Sequence, residues 1–151
     1  MDRFGEFVAN HWDLVALLAL VVAWIGWLTF GGRLRGWREA EPLEAVQLMN
    51  HGDAVLLDVR EEKEVNEGRV ADSIHIPVGA LGQRIQDLEP YRDRPVVVAC
   101  RSGHRSARAC SMLHKQGFPQ VYNLRGGILA WEGANLPLER GKPRKGKKRR
   151  G

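Results

Sequence analysis

Pro95-Val-Val-Val-Ala-Cys100-Arg-Ser-Gly-His-Arg105-Ser-Ala-Arg108 is the stretch on which the reading of this chain turns. Val96 to Ala99 is apolar and mostly β-branched, and Pro95, with no N–H to give a ladder, suits the start of a buried strand. Ser102 and Gly103 supply turn chemistry, and Ser106 opens an amphipathic segment that predicts a helix to about Gln116. Strand, short loop and helix in that order leave Cys100 over a helix N-terminus, where free amides and the helix dipole favour negative charge. Arg101 and Arg105 stand beside it as two fixed cations. Each effect favours thiolate over thiol, so Cys100 is expected to ionise readily and act as a nucleophile. An inert core cysteine would not be flanked by two arginines.

The loop length narrows the chemistry. Cysteine phosphatases need a Cys-x5-Arg loop, wide enough for a tetrahedral phosphate, and here Arg105 comes one residue too early. The shorter loop makes a smaller amide cradle, matched to a sulfur atom carried on the cysteine. Gly103 lets the backbone turn so that successive N–H groups point inward, with Arg101 and Arg105 completing an anion-binding loop. Ser102 and His104 line that loop and are expected to set access.

These residues resemble the rhodanese (sulfurtransferase) family, whose Cys-Arg-x-Gly-x-Arg loop stands here as Cys100-Arg-Ser-Gly-His-Arg105. Leu56-Leu-Asp58-Val-Arg60, followed by acidic Glu61-Glu-Lys-Glu64, looks like the family's first-strand motif. Gly68-Arg-Val-Ala-Asp-Ser-Ile-His75-Ile-Pro77 is similar to its middle motif, although Arg69, Asp72 and His75 replace the usual His, Gly and Asn. Leu124-Arg-Gly126-Gly127-Ile-Leu-Ala-Trp131 matches the closing Gly-Gly and Trp. The resemblance implies a sulfurtransferase in which Cys100 takes sulfane sulfur from thiosulfate or a persulfide and passes it to cyanide, a thiol or a protein acceptor. It implies no metal and no organic cofactor. Asp58 and Arg60 are read as supports that tie down structure around the loop, since sulfur transfer needs no general base once the thiolate exists.

Outward from the loop, short strands alternate with helices and none can close as a hairpin with its neighbour. The expected fold class is α/β, a mainly parallel sheet flanked by helices. Strands are expected at 54–59, 73–76, 95–100 and 120–124, and helices at 42–51, 61–67, 80–88 and 106–116. Asp58 and Cys100 end their strands on the side where such sheets place their sites. With only two cysteines, a disulfide framework is excluded, and Cys110, mid-helix, reads as a small core residue.

The domain boundaries follow composition: an N-terminal anchor and flank at 1–38, the folded domain at 39–139 and a tail at 140–151. Residues 14–30 carry no charge, long enough for one transmembrane helix. Arg3 lies among acids and no small-residue cleavage pattern follows Phe30, which argues against a signal peptide. Arg33, Arg35 and Arg38 follow the span, placing the N-terminus outside and the domain in the cytoplasm at the inner membrane. Residues 39–139 hold 11 basic and 15 acidic residues, whereas 140–151 hold eight basic and none acidic. The chain's +5 therefore belongs to the tail, and the domain has no electrostatic footprint for specific DNA binding. The tail cannot fold alone and reads as a solvated, disordered basic end, with the composition to meet anionic lipid or an acidic partner. A reading from another class is a membrane-tethered adaptor that uses the fold to hold a protein partner at the bilayer.

Overall fold

The computed structural model describes residues 2–31 and 35–140. The basic tail beyond Arg140, and Arg33 of the orienting arginines, lie outside the described residues. The chain forms two compact units, Met1–Arg35 and Gly36–Gly151.

In the first unit, α1 (Asp2–Asn10) precedes α2 (Trp12–Phe30). Phe4 and Phe7 fall at helical spacing on one side of α1, and the Phe7 ring meets that of His11, just past the helix end, at 4.9 Å. With its single charge, Asp13, at its first turn, α2 is apolar all round and buries none of its 19 residues. It is long and apolar enough to cross a membrane.

The second unit is a five-stranded, wholly parallel sheet in the order β1-β5-β4-β2-β3. Its strands are β1 (Arg38–Ala40), β2 (Val55–Asp58), β3 (Ile74–His75), β4 (Val96–Ala99) and β5 (Val121–Leu124). The connecting helices are α3 (Pro42–His51), α4 (Glu62–Glu67), α5 (Val78–Arg84), α6 (His104–Lys115) and α7 (Gly127–Gly133). The period of two along β4 sorts its residues between two cores. Val96, Val98 and Cys100 pack with Leu81, Leu113 and Phe118 on one face. Val97 and Ala99 pack with Ala45, Ile128 and Trp131 on the other. Every side chain of β4 is fully buried, as a central parallel strand requires.

Besides α1 and α7, which the sequence reading did not list, the structure departs from it at β1, at the segment 80–91 and at the start of α6. β1 was not anticipated, because Arg38-Glu39-Ala40 has no apolar run; it forms because β5 offers an open edge, with Arg125 N–H donating to the Ala40 carbonyl at 2.9 Å. The helix expected at 80–88 is instead α5 followed by a 3₁₀ segment, Ile85–Tyr91, which carries Pro90. The tighter winding accommodates a residue that an α-helical interior would not. α6 begins at His104 and not at Ser106, since Gly103, at φ 106°, turns the chain directly into it.

Candidate active site

Cys100 comes directly off β4 and is 1% exposed. Gly103 N–H donates to its Sγ at 3.0 Å, and the Ser106 hydroxyl lies 3.3 Å from it. Burial by itself pushes the thiol up. The Ser106 hydroxyl and the amides of Ser106, Gly103 and Ser102 outweigh that and hold it below the ordinary thiol value.

Why those amides face inward is visible at the carboxyl end of the neighbouring strand, β5. Gly126 and Gly127 follow β5 in left-handed conformation, at φ 72° and 63°. They start α7 against the back of the loop. Ile128 N–H donates to the Cys100 carbonyl at 2.8 Å and Leu129 N–H to the Arg101 carbonyl at 3.2 Å. With its first carbonyls held from behind, the loop presents N–H groups to the sulfur. A Cβ on Gly127 would run into the Cys100 and Arg101 backbone, so the closing Gly-Gly permits a contact that no other residue allows.

Arg105, expected as a fixed cation beside Cys100, is paired with a carboxylate. Its guanidinium grips both oxygens of Glu64, at 2.7 Å each, and its charge acts on the sulfur only from a distance. An arginine entering a helix beside acidic α4 finds a carboxylate partner at fork geometry. Arg101 is exposed and lines a cleft with Arg60, Glu64, Leu129 and Glu132. The sulfur's stabilisation is therefore set by hydrogen bonds more than by the two cations. Ser102 and His104 are exposed on the loop.

Asp58 and Arg60 form a buried pair beneath this arrangement. Asp58 accepts from Arg60 Nη2 at 2.8 Å and from Nε at 3.0 Å, and is itself 0% exposed. Arg60 Nη2 also donates to the Gly68 carbonyl at 2.7 Å. The pair thus anchors the end of α4, and α4 presents Glu64 to Arg105. Among the described residues the pair's side chains make no hydrogen bond to the Cys100 loop, and α4 is what lies between them and Arg105.

Three contributors escaped the sequence reading. Glu64 was quoted there only as part of an acidic helix. Ser106 was read as a helix start, yet its position right after Arg105 signals proximity to the loop. Asn123, 3% exposed, sits on β5, where a polar residue inside a buried strand demands a partner. It donates to the Gly103 carbonyl at 3.3 Å and accepts from Ser106 at 2.5 Å. Cys110 is fully buried in the core, and that burial pushes its thiol well up.

The Arg105 fork, first among the causes, holds the Glu64 carboxyl at about 2 against an ordinary 4.5. A folded-state value below the unfolded one adds stability that is complete above pH 4.5 and lost as pH falls toward 2. Glu64→Gln should accordingly flatten the acid limb of the unfolding curve across that window, read by circular dichroism. An unchanged acid limb would mean that the pair carries no stability.

The profile of the Rhodanese-like domain family matches residues 41–134. The uncharacterized protein YibN of Escherichia coli (strain K12) is 35% identical over 144 residues, covering 94% of this chain and all of YibN. The thiosulfate sulfurtransferase GlpE of Actinobacillus succinogenes is 34% identical over 101 residues, covering 67% of this chain and 89% of GlpE. The crystal structure of a rhodanese-related protein from Thermoplasma volcanium superposes with a TM-score of 0.62 at 31% identity, over 68% of this chain and 98% of that one.

Proposed function

We propose, from the premise that the chain belongs to the rhodanese-like sulfurtransferase family, that Cys100 is the sulfur carrier of a membrane-anchored sulfurtransferase. The observation that carries this reading is the buried Cys100 sulfur with Gly103 N–H at 3.0 Å and further amides turned toward it. Such a pocket stabilises an anion on sulfur without a metal or a proton acceptor.

In the first step the Cys100 thiolate attacks the outer sulfur of thiosulfate. The sulfur–sulfur bond of the donor breaks, sulfite leaves with its electron pair, and Cys100 becomes a persulfide anion. In the second step a nucleophile, cyanide or a thiolate, attacks the outer sulfur of the persulfide and displaces the original thiolate. No electrons are gained or lost overall. Gly103 and its neighbouring amides hold the anion in both states. Arg101, exposed at the cleft mouth, meets incoming anions, and Arg105 keeps the loop in register through Glu64. Thiosulfate as donor is supported by the name of the GlpE relative.

The anchor is α2, supported by its length and apolarity. The arginines at 33, 35 and 38 support a cytoplasmic domain, and the tail supports contact with anionic lipid or an acidic partner. One experiment tests carrier and anchor together. Membranes bearing the full chain are incubated with thiosulfate, washed with alkaline carbonate, and the retained protein is analysed by mass spectrometry. One additional sulfur on the peptide holding Cys100, in protein that stays in the pellet, is the expected result. Retained protein without that sulfur overturns the carrier assignment, and release into the wash overturns the anchor.

A further inference from the structure

Ser106 has one hydroxyl proton and two acceptors. Its Oγ lies 3.3 Å from Cys100 Sγ and 2.5 Å from Asn123 Oδ1. All three residues are buried: Ser106 is 0% exposed, Cys100 1% and Asn123 3%. No bulk solvent reaches the hydroxyl to compete, and the proton serves one acceptor at a time. The Asn123 amide is not free to turn away. Its Nδ2 donates to the Gly103 carbonyl at 3.3 Å and toward Glu39 Oε1 at 3.4 Å, which fixes Oδ1 toward Ser106.

We infer that Ser106 is a positioning residue whose hydroxyl follows the charge on Cys100, turning to Sγ when that sulfur is anionic and to Asn123 when it is not. The inference rests on Cys100 being the sulfur carrier. In the free thiolate the charge sits on Sγ, and the hydroxyl donates there. In the persulfide the charge moves to the outer sulfur, Sγ becomes a neutral bridging atom, and the hydroxyl returns to Asn123 Oδ1. The exchange stabilises the discharged enzyme selectively, and Asn123 moderates it by offering the proton an alternative. It thereby sets how readily sulfur leaves Cys100 for an acceptor.

Other charges face this sulfur. Arg105, at the start of α6, acts through space and is neutralised by Glu64 of α4, while Cys110 of the same α6 remains a neutral thiol. Glu39 of β1 accepts from the Asn123 amide and bears through space on Cys110, and Asp58 at the end of β2 is paired with Arg60. Two opposing substitutions separate the hydroxyl from all of them.

The test is the pH profile of Cys100 alkylation by iodoacetamide in the full chain, which requires no sulfur donor or acceptor. Ser106→Ala should move the midpoint up and cut the rate below it by about threefold. A hydrogen bond to a charged group changes ionisation about tenfold, and the more basic thiolate returns part of that as nucleophilicity. Ser106→Thr should restore the wild-type profile. Asn123→Leu should move the midpoint the opposite way, because the hydroxyl then has Cys100 as its only acceptor. Asn123→Ala, smaller and without the carbonyl, should shift it in the same direction and serves if the leucine does not fold. Opposite shifts establish the shared proton; shifts of the same sign, or none, overturn it. A protein that passes this test but never acquires sulfur would refute the carrier assignment alone.

Discussion

Cys100→Ser abolishes thiosulfate-to-cyanide sulfur transfer, a loss expected to reach at least about three orders of magnitude, the scale on which removing a nucleophile acts. The physical reason lies in ionisation. A hydroxyl in the same amide pocket remains protonated at neutral pH and cannot attack sulfur. The fold should be unaffected, because serine fills nearly the same space and can accept the same hydrogen bond from Gly103. Cys110→Ser is the internal control. That thiol is fully buried in the core and pushed up by its burial, so it contributes no nucleophile and its replacement should leave turnover largely intact. A thiocyanate-formation assay decides between the two cysteines. Activity in the Cys100 variant and none in the Cys110 variant would reverse the assignment.

Asp58→Ala should destabilise the protein by about 3–5 kcal/mol, the usual cost of leaving one member of a buried ion pair without its partner. Arg60 is 5% exposed, and Asp58 accepts three of its N–H groups, the backbone amide included. The remaining carbonyl bonds to Gly68 and Glu64 cannot neutralise a guanidinium. Urea denaturation gives the magnitude. Replacing both members by apolar residues of similar size, Asp58→Leu with Arg60→Met, should recover much of the loss, since no buried charge is then stranded. If the single variant melted like the wild type, the pair would be ornamental to folding.

The sheet was legible in the sequence wherever apolar runs are continuous. Val96 to Ala99, and the apolar run Ala54 to Leu57 that opens the strand expected at 54–59, read as buried because a central parallel strand has no solvent face to alternate with. β1 was not legible, because a three-residue edge strand owes its existence to the ladder β5 offers and not to its own side chains. The candidate nucleophile was legible from its place between strand and helix. The electrostatics around it were read less well. Proximity along the chain drew attention to Arg105 as a cation beside Cys100 and gave no sign of Glu64, 41 residues earlier, which the fold brings into its fork. Ser106 and Asn123 show the same limit: a contact across 17 residues leaves no mark on spacing.

The clamp that α7 places on the Cys100 and Arg101 carbonyls bears on when, during its own synthesis, the protein becomes reactive. Cys100 leaves the ribosome well before Gly127, and through that interval the Cys100 and Arg101 carbonyls lack the N–H groups of Ile128 and Leu129. An ionised thiol on an unfolded chain is exposed to oxidation and to mixed disulfides. The amide cradle around the sulfur is complete once Ile128 and Leu129 have taken the two carbonyls from behind. A chain synthesised only as far as Arg125 therefore lacks the contacts that back the loop, and α7, the last helix among the described residues, completes the cradle.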